Sequence, residues 1–179
     1  TLEVPLPLAK RPDVPADAPV RYKLPPFLQA GTFADWPEVS RTMAPLFATE
    51  GTIASGGPIA RQVAAITAQH SGQLDRAVAA LRLVQDEISY LLNGMQGGNY
   101  IPQTPAETWE KRYGDCKAKS VLLLALLRGL GIDANVVLVA SRGGDALPEL
   151  LPLPADFDHM IVRATVGGVD YWLDGTSTA

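Results

Sequence analysis

Cysteine, histidine and long apolar runs are scarce in this sequence, and each scarcity excludes a class of protein. The single cysteine, Cys116, excludes an internal disulfide. With only two histidines, His70 and His159, far apart along the chain, we expect neither a metal site nor a cofactor. The longest aliphatic run, 121–127, is far shorter than the roughly 20 residues that span a bilayer, so we expect no membrane contact from this chain.

Basic residues are not in excess either, and this argues against nucleic acid as a partner. The 15 Lys and Arg residues face 19 Asp and Glu residues, which gives a formal net charge of −4. Without a strong positive field, neither nucleic acid nor an anionic membrane is an expected partner. Apolar residues make up 47% of the 179 residues, enough for the core of one domain with an appendage.

Proline is concentrated at the start of the chain, where the first 26 residues contain seven. Because proline lacks a backbone N–H and fixes φ, this stretch is predicted to be neither a helix nor a central strand. We interpret residues 1–30 as a linker or the end of a preceding domain, and residues 31–179 as one domain. The first residue is Thr rather than Met, so we expect the chain to be a piece of a longer protein.

Helical spacing and capping signals dominate the chain before residue 131. Asp35 and Glu38 form an apparent capping box, and Thr104 with Glu107 forms another. Three helices are predicted first, from 36 to about Phe47, from Ile59 to about His70 and from Leu74 to Leu91. A fourth is predicted from 105 to Tyr113, with Gly114 as a left-handed stop. The last is predicted from Cys116, capped by Asp115, to about Leu130, with Gly131 as the stop. His70, at a helix end, is assigned no chemistry.

The pattern changes after Gly131, where β-branched and apolar residues predict strands at 134–140, 159–166 and 169–173. Gly167 and Gly168 predict a hairpin between the last two strands. Residues 93–104 and 141–158 are rich in glycine, asparagine or proline and are predicted to be loops. Helices first and strands last indicate an α+β domain with an antiparallel sheet.

Cys116 occupies the start of the last helix. There its thiol lies near backbone N–H groups without helical acceptors and near the positive end of the helix dipole, both of which favour the reactive thiolate. Lys117 and Lys119 add positive charge nearby. The helix beyond, 121–127, is apolar on nearly every face, so we expect it to be central and buried. A cysteine that merely fills space at a helix start is the structural alternative.

The hairpin predicts that His159 and Asp174 meet. If Gly167 and Gly168 are a two-residue turn, Asp174 lies opposite Ile161, and His159 is its diagonal neighbour on the same face. Asp174 would then orient the imidazole, whose other nitrogen would face a thiol. A slip of one residue would separate the two side chains. A surface or core-edge histidine and an Asp174 that only forms a turn are the open alternatives.

Three motifs together resemble the bacterial transglutaminase-like superfamily. They are Tyr-Gly-Asp-Cys-Lys at 113–117 before an apolar helix, Phe-Asp-His at 157–159, and Tyr-Trp-Leu-Asp-Gly-Thr at 171–176. The segment 84–90 is similar to the helix that precedes the active-site loop in that family. The resemblance covers about residues 31–179.

This resemblance implies a papain-like fold, with N-terminal helices and a central buried helix packed on an antiparallel sheet. It also implies a catalytic triad of Cys116, His159 and Asp174, in a larger, envelope-associated and periplasmic bacterial protein. Lys117 departs from the aromatic residue that follows the cysteine in animal transglutaminases. Tyr90 and Gln103 are the candidates for a second oxyanion donor.

The expected function is thiol-dependent acyl transfer on peptide or side-chain amides, with a protein or peptide as the substrate. Hydrolysis by a protease or amidase is slightly favoured over amine crosslinking, because no loop has the spacing of a Ca²⁺ site. The alternative is a non-catalytic module that keeps the triad and binds peptides or acts as a scaffold. The sequence indicates neither the oligomeric state nor the acyl acceptor.

Overall fold

The computed structural model describes residues 13–25, 27–91 and 99–177, and its helices come before its main sheet. The α-helices are α1 (Trp36–Met43), α2 (Pro58–Gln69), α3 (Gln73–Glu87), α4 (Pro105–Lys111) and α5 (Cys116–Gly129). The strands are β1 (Ser89–Tyr90), β2 (Tyr113–Gly114), β3 (Asp133–Val139), β4 (His159–Val166) and β5 (Val169–Leu173). The order confirms the predicted α+β class with an antiparallel sheet.

Side-chain caps start three of the helices where the sequence predicted them. Asp35 accepts from the N–H of Glu38 at the start of α1, and Asp115 accepts from the N–H of Ala118 at the start of α5. Thr104 and Glu107 form the predicted reciprocal capping box before α4. The box predicted for α1 is wrong in one detail, because Glu38 accepts from the N–H of Ala34 rather than that of Asp35.

Helix α1 stops at Met43 and is continued by a 3-10 turn, Ala44–Phe47, so the predicted end at Phe47 marks the end of the combined segment. Helix α2 ends at Gln69 with His70 as its C-cap, as expected. Helix α5 ends close to the predicted position, and Gly131 has the left-handed φ of 73° expected of the stop.

Two predicted helix ends are wrong, because after each of these helices the chain enters a strand of a small parallel sheet. Helix α3 ends at Glu87 rather than Leu91, because the chain turns into β1, which pairs in parallel with β2. Helix α4 ends at Lys111, and Arg112, not Gly114, adopts the left-handed conformation with φ 59°. Glycine at position 114 is needed for a steric reason, because a Cβ there would lie 2.6 Å from the Cβ of Ala118.

The main sheet has the order β3-β4-β5, and both of its pairings are antiparallel. Val166 pairs with Val169 and Val162 with Leu173, which confirms the predicted two-residue turn and register. Strand β3 begins one residue earlier than predicted, at Asp133. Alternate residues of β4, beginning with Met160 and Val162, are fully buried, so this face of the sheet packs into the core.

Helix α5 is the centre of the domain, as predicted. Every residue from Cys116 to Leu127 is buried, and the helix contacts β3 and β4 as well as α2, α3 and α4. Full burial of each leucine contributes about 1.5–3 kcal/mol relative to an exposed one. A hydrogen bond of 2.9 Å from Ser120 Oγ to the backbone oxygen of Met160 fixes the helix against β4.

The two lysines of α5 are buried rather than solvated. Lys117 is 1% exposed and forms an ion pair with Asp115, the N-cap of the same helix. Lys119 is 2% exposed and donates to the backbone oxygen of Ile88, just before β1. Both lysines near the thiol therefore form contacts that hold the start of α5 in the protein interior.

The predicted loops and the proline-rich start are described in part. The loop at 93–104 is described only from residue 99, and residues 1–12 lie outside the described ranges. The loop at 141–158 contains two short 3-10 helices, Gly144–Glu149 and Pro154–Asp156.

Side chains near the proline-rich start contact the loop at 141–158. Arg21 forms a 3.5 Å ion pair with Asp145, and Gln29 accepts from the N–H of Leu151. The boundary near residue 30 stays a prediction. Within the described ranges, no helix combines the length and the apolar character that a membrane crossing requires.

Replacing Lys117 with methionine should strongly destabilise the domain. The substitution leaves the buried carboxylate of Asp115 without its cation, a change that typically costs about 3–5 kcal/mol. Glu87→Gln is the matched control, because it breaks the half-exposed ion pair with Arg112 and should cost less than about 1 kcal/mol. Urea unfolding of both variants measures the difference. Equal losses for the two variants would contradict the assigned burial of the Lys117 pair.

Candidate active site

Cys116 is the first residue of α5, and its side chain points into packed surroundings rather than into open solvent. It is 1% exposed and belongs to an apolar cluster. The cluster consists of Val39, Met43, Phe47, Cys116, Val121 and Met160. Because Asp115 caps the helix through Ala118, the thiol lies beside the first-turn N–H groups, at the positive end of the dipole.

His159 and Asp174 meet across the β4–β5 hairpin. His159 is the first residue of β4, and Asp174 follows the last residue of β5. Their side chains form a contact of 2.9 Å between Nε2 and Oδ2. The contact follows from the hairpin register, which puts both residues on one face of the ribbon.

Cys116 lies close enough to this imidazole to influence its pKa. The hydrogen bond to Asp174, then the hydrogen bond with Cys116, raise the pKa of His159 to about 10, although burial alone would lower it. With Nε2 engaged by Asp174, Nδ1 is the ring nitrogen left to face the sulfur. The three residues predicted from the sequence are thus brought together, with His159 bound to Asp174 and close to Cys116.

The carboxylate of Asp174 is held by more than the histidine. Its Oδ1 accepts from the N–H and the Oγ1 of Thr176, at 2.8 and 2.7 Å. Burial alone would raise the pKa of Asp174, but the hydrogen bonds from His159 and Thr176 lower it well below its usual range. The carboxylate is therefore ionised at neutral pH, and its two oxygens have separate partners.

The backbone beside Asp174 is tied to α3. The side chain of Gln85 donates to the backbone oxygen of Asp174 at 3.0 Å. At the next residue, Gly175, a Cβ would lie 3.2 Å from Cγ1 of Val84. Glycine at this position therefore lets the chain pass close to α3.

Sequence reasoning did not assign Thr176 or Gln85. The Asp-Gly-Thr order is the available signal for Thr176, since an Asp side chain commonly accepts from the backbone two residues further on. The sequence carries no signal of its own for Gln85, which reaches Asp174 only through the packing of α3.

Tyr90 is the polar side chain on the other side of this group. Burial, then the nearby charges of Cys116, Asp115 and Asp174, raise the pKa of Tyr90. The phenol is therefore protonated at neutral pH, and the residue as a whole is 42% exposed. It is positioned by β1, whose pairing partner is Gly114, two residues before Cys116.

Gln103, the other oxyanion candidate, lies in a small cavity of about 160 Å³ together with Asp115. Its side-chain oxygen accepts from Thr108 at 3.4 Å. In the described ranges, no three His, Cys, Asp or Glu side chains are grouped as metal ligands.

Two solved structures have the same fold as this chain. A putative protease of Parabacteroides distasonis ATCC 8503 matches with a TM-score of 0.64 and 16% identity, over 80% of this chain and 27% of that one. A putative cysteine protease of Cytophaga hutchinsonii matches with a TM-score of 0.53 and 16% identity, over 77% of this chain and 43% of that one. This chain thus spans less than half the length of either protein. The expected papain-like fold is confirmed.

The sequence comparisons identify the family. No curated protein matches the chain. The family model described as the transglutaminase-like superfamily matches residues 60–172, more than half of the chain. The expected resemblance is confirmed, and the chain belongs to the transglutaminase-like superfamily.

Proposed function

We propose that this domain transfers acyl groups from peptide or side-chain amides, with Cys116 as the nucleophile, His159 as the acid–base residue and Asp174 as its orienting carboxylate. The observation that carries the proposal is the 2.9 Å contact between His159 and Asp174, with Cys116 at the start of a buried helix and close enough to raise the pKa of His159. Nucleophile, base and orienting group within hydrogen-bonding reach are the signature of covalent acyl transfer.

Acylation begins when the sulfur of Cys116 attacks the amide carbon and the thiol proton resides on His159. A carbon–sulfur bond forms, and the carbonyl oxygen becomes an oxyanion. The imidazolium then donates its proton to the amide nitrogen, the carbon–nitrogen bond breaks, and an amine or ammonia leaves a thioester on Cys116. Because the pKa of His159 is about 10, the imidazole retains its proton near neutral pH until the leaving nitrogen takes it.

Deacylation runs the same steps with a second nucleophile. His159 takes a proton from water or from an amine as that nucleophile attacks the thioester, and the carbon–sulfur bond breaks. Water gives hydrolysis, whereas an amine gives a new amide. Hydrolysis is favoured, since both structural neighbours are named as proteases or cysteine proteases.

Two groups are positioned to donate to the oxyanion. Backbone N–H groups in the first turn of α5 lack helical acceptors and lie at the positive end of the helix. The phenol of Tyr90, kept protonated by burial and by the charges of Cys116, Asp115 and Asp174, is the second donor. Gln103 is the alternative donor, because its side-chain oxygen accepts from Thr108 and its amide N–H groups can still donate.

The central prediction is that the domain processes peptide amides and loses this activity when the proposed triad is altered. The domain is incubated with a peptide library and a primary amine, and mass spectrometry distinguishes cleavage, deamidation and amine incorporation. Cys116→Ala should abolish all three, and His159→Ala should lower kcat by about 10²–10⁴-fold because proton transfer is lost. His70→Ala is the matched control and should leave the rate unchanged. Retention of full activity by Cys116→Ala would refute the proposal.

Tyr90→Phe should lower kcat with little change in KM. Removing one oxyanion donor typically costs about 10²–10³-fold in kcat, and the phenyl ring preserves the packing of β1. Tyr113→Phe, a half-exposed tyrosine on the paired strand β2, is the control. Steady-state kinetics on a peptide that the wild-type domain processes provides the measurement. A rise in KM alone would instead assign Tyr90 to substrate binding.

A non-catalytic peptide-binding module is the second candidate, and one observation favours it. Cys116 is 1% exposed, so a substrate reaches the sulfur only if the surrounding side chains move. Alkylation of Cys116 by iodoacetamide near neutral pH separates the two functions. An enzyme should react faster than its His159→Ala variant, whereas equal and slow alkylation of both proteins would favour the binding module.

The His159–Asp174 pair also predicts how stability depends on pH. Because the pKa of His159 is raised from 6.5 to about 10, the pair stabilises the fold fully below about pH 6.5 and loses this contribution as the pH rises toward 10. Because the pKa of Asp174 is lowered from 3.8, its contribution is present above that pH and is lost in stronger acid.

The stability difference between the wild type and Asp174→Asn should therefore be largest at mildly acidic pH and should shrink above pH 6.5. Urea unfolding across this range measures it. Asp170→Asn, at a half-exposed carboxylate of β5, should show a small difference that varies little with pH. A difference for Asp174→Asn that grows with pH would contradict the assigned ion pair.

A further inference from the structure

An apolar groove of about 320 Å³ lies between α1 and the edge strand β3. At about 30 Å³ per water molecule, this volume corresponds to roughly ten waters, which leaves room for a large side chain. Among the described residues, its lining contains no charged side chain, and Ser40 supplies the only side-chain hydroxyl. The lining residues are Trp36, Val39, Ser40, Met43, Ala44, Phe47, Val136, Val137, Leu138 and Phe157.

The groove shares walls with the surroundings of the reactive sulfur. Val39, Met43 and Phe47 line the groove and belong to the same apolar cluster as Cys116. At the other end, Phe157 lies two residues before His159 and stacks edge-on against Trp36, with ring centroids 5.6 Å apart. The groove therefore shares three side chains with the cluster of Cys116 and is bordered by a residue close in sequence to His159.

The groove also opens to solvent on the α1 side, because Ser40 and Ala44 are exposed. Its α1 wall lies outside the family match, which begins at residue 60.

We propose that this groove is a specificity site that binds one bulky apolar side chain, such as leucine or phenylalanine, of the peptide whose amide reacts at Cys116. The inference rests on the proposed acyl transfer and adds the class of substrate to it. A charged side chain would lose its hydration without gaining a charged partner in this lining. The groove thus selects apolar over polar residues at one position of the substrate.

Turnover gives the first test. Peptides that differ only by leucine or serine at single positions near the reacting amide should differ in kcat/KM by about 10–200-fold at one position, the usual range for an apolar specificity pocket. Ala44→Phe, which fills the groove, should reduce this ratio toward one. Thr42→Phe, on an exposed part of α1 outside the lining, should leave the ratio unchanged. Equal ratios in the wild type and both variants would overturn the proposal.

A second variant tests for a gain of specificity. Ser40→Glu introduces a carboxylate into the lining and should shift the preference from leucine toward lysine at the same substrate position. A variant that lowers the rates for leucine and lysine peptides equally would contradict the assigned groove.

Binding without turnover separates this proposal from the proposed function. In a Cys116→Ala background, a leucine-containing peptide should change the fluorescence of Trp36, whereas its serine counterpart should not, and Trp36→Phe should remove the response. Such a response in the Cys116→Ala variant, together with no turnover by the wild-type domain, would support the groove and refute acyl transfer. The same fluorescence for both peptides, or no change for either, would overturn the groove proposal.

Discussion

The burial of α5 on all sides is the constraint on which the rest of this structure depends. A helix with apolar residues on every face must have partners on every face, and here α3 and α4 provide some of them while β3 and β4 provide others. This arrangement fixes the N-terminus of α5 at the meeting point of the helical part and the sheet. The sulfur of Cys116 is therefore placed by the packing of the whole domain and not by a local loop.

The N-terminus of α5 carries charged side chains that are buried, and nearby groups pair with them. Asp115 caps the helix but is itself largely buried, and Lys117 supplies the opposite charge. Lys119 is buried on the same helix, where burial lowers its pKa while Asp174 and Asp86 act in the opposite direction, and it donates to the backbone before β1. The same set of contacts thus stabilises α5 and positions β1, which carries Tyr90.

Much of this arrangement was predictable because its determinants are local in sequence. The caps Asp35, Thr104 and Asp115 act on N–H groups within three residues, and a two-glycine turn fixes the hairpin register that brings His159 to Asp174. The errors occurred where long-range packing overrides local preference. Arg112 takes the left-handed conformation expected of Gly114, since the glycine is needed where β2 crosses α5. Likewise, Gln85 holds the backbone of Asp174 from a helix 89 residues away along the chain.

The apolar groove, and with it the proposed substrate preference, could not be predicted from local sequence either. The three triad motifs are short segments whose residues could be found in the sequence, whereas the groove joins α1, β3 and the residue Phe157. No spacing along the chain relates Ser40 to Leu138, so the groove becomes visible only when α1 packs against the edge strand. The proposed reaction chemistry and the proposed substrate selection thus depend on different parts of this domain. The first comes from the buried α5 and the β4–β5 hairpin within the family match, and the second from a helix that precedes the match and packs against the apolar cluster of Cys116.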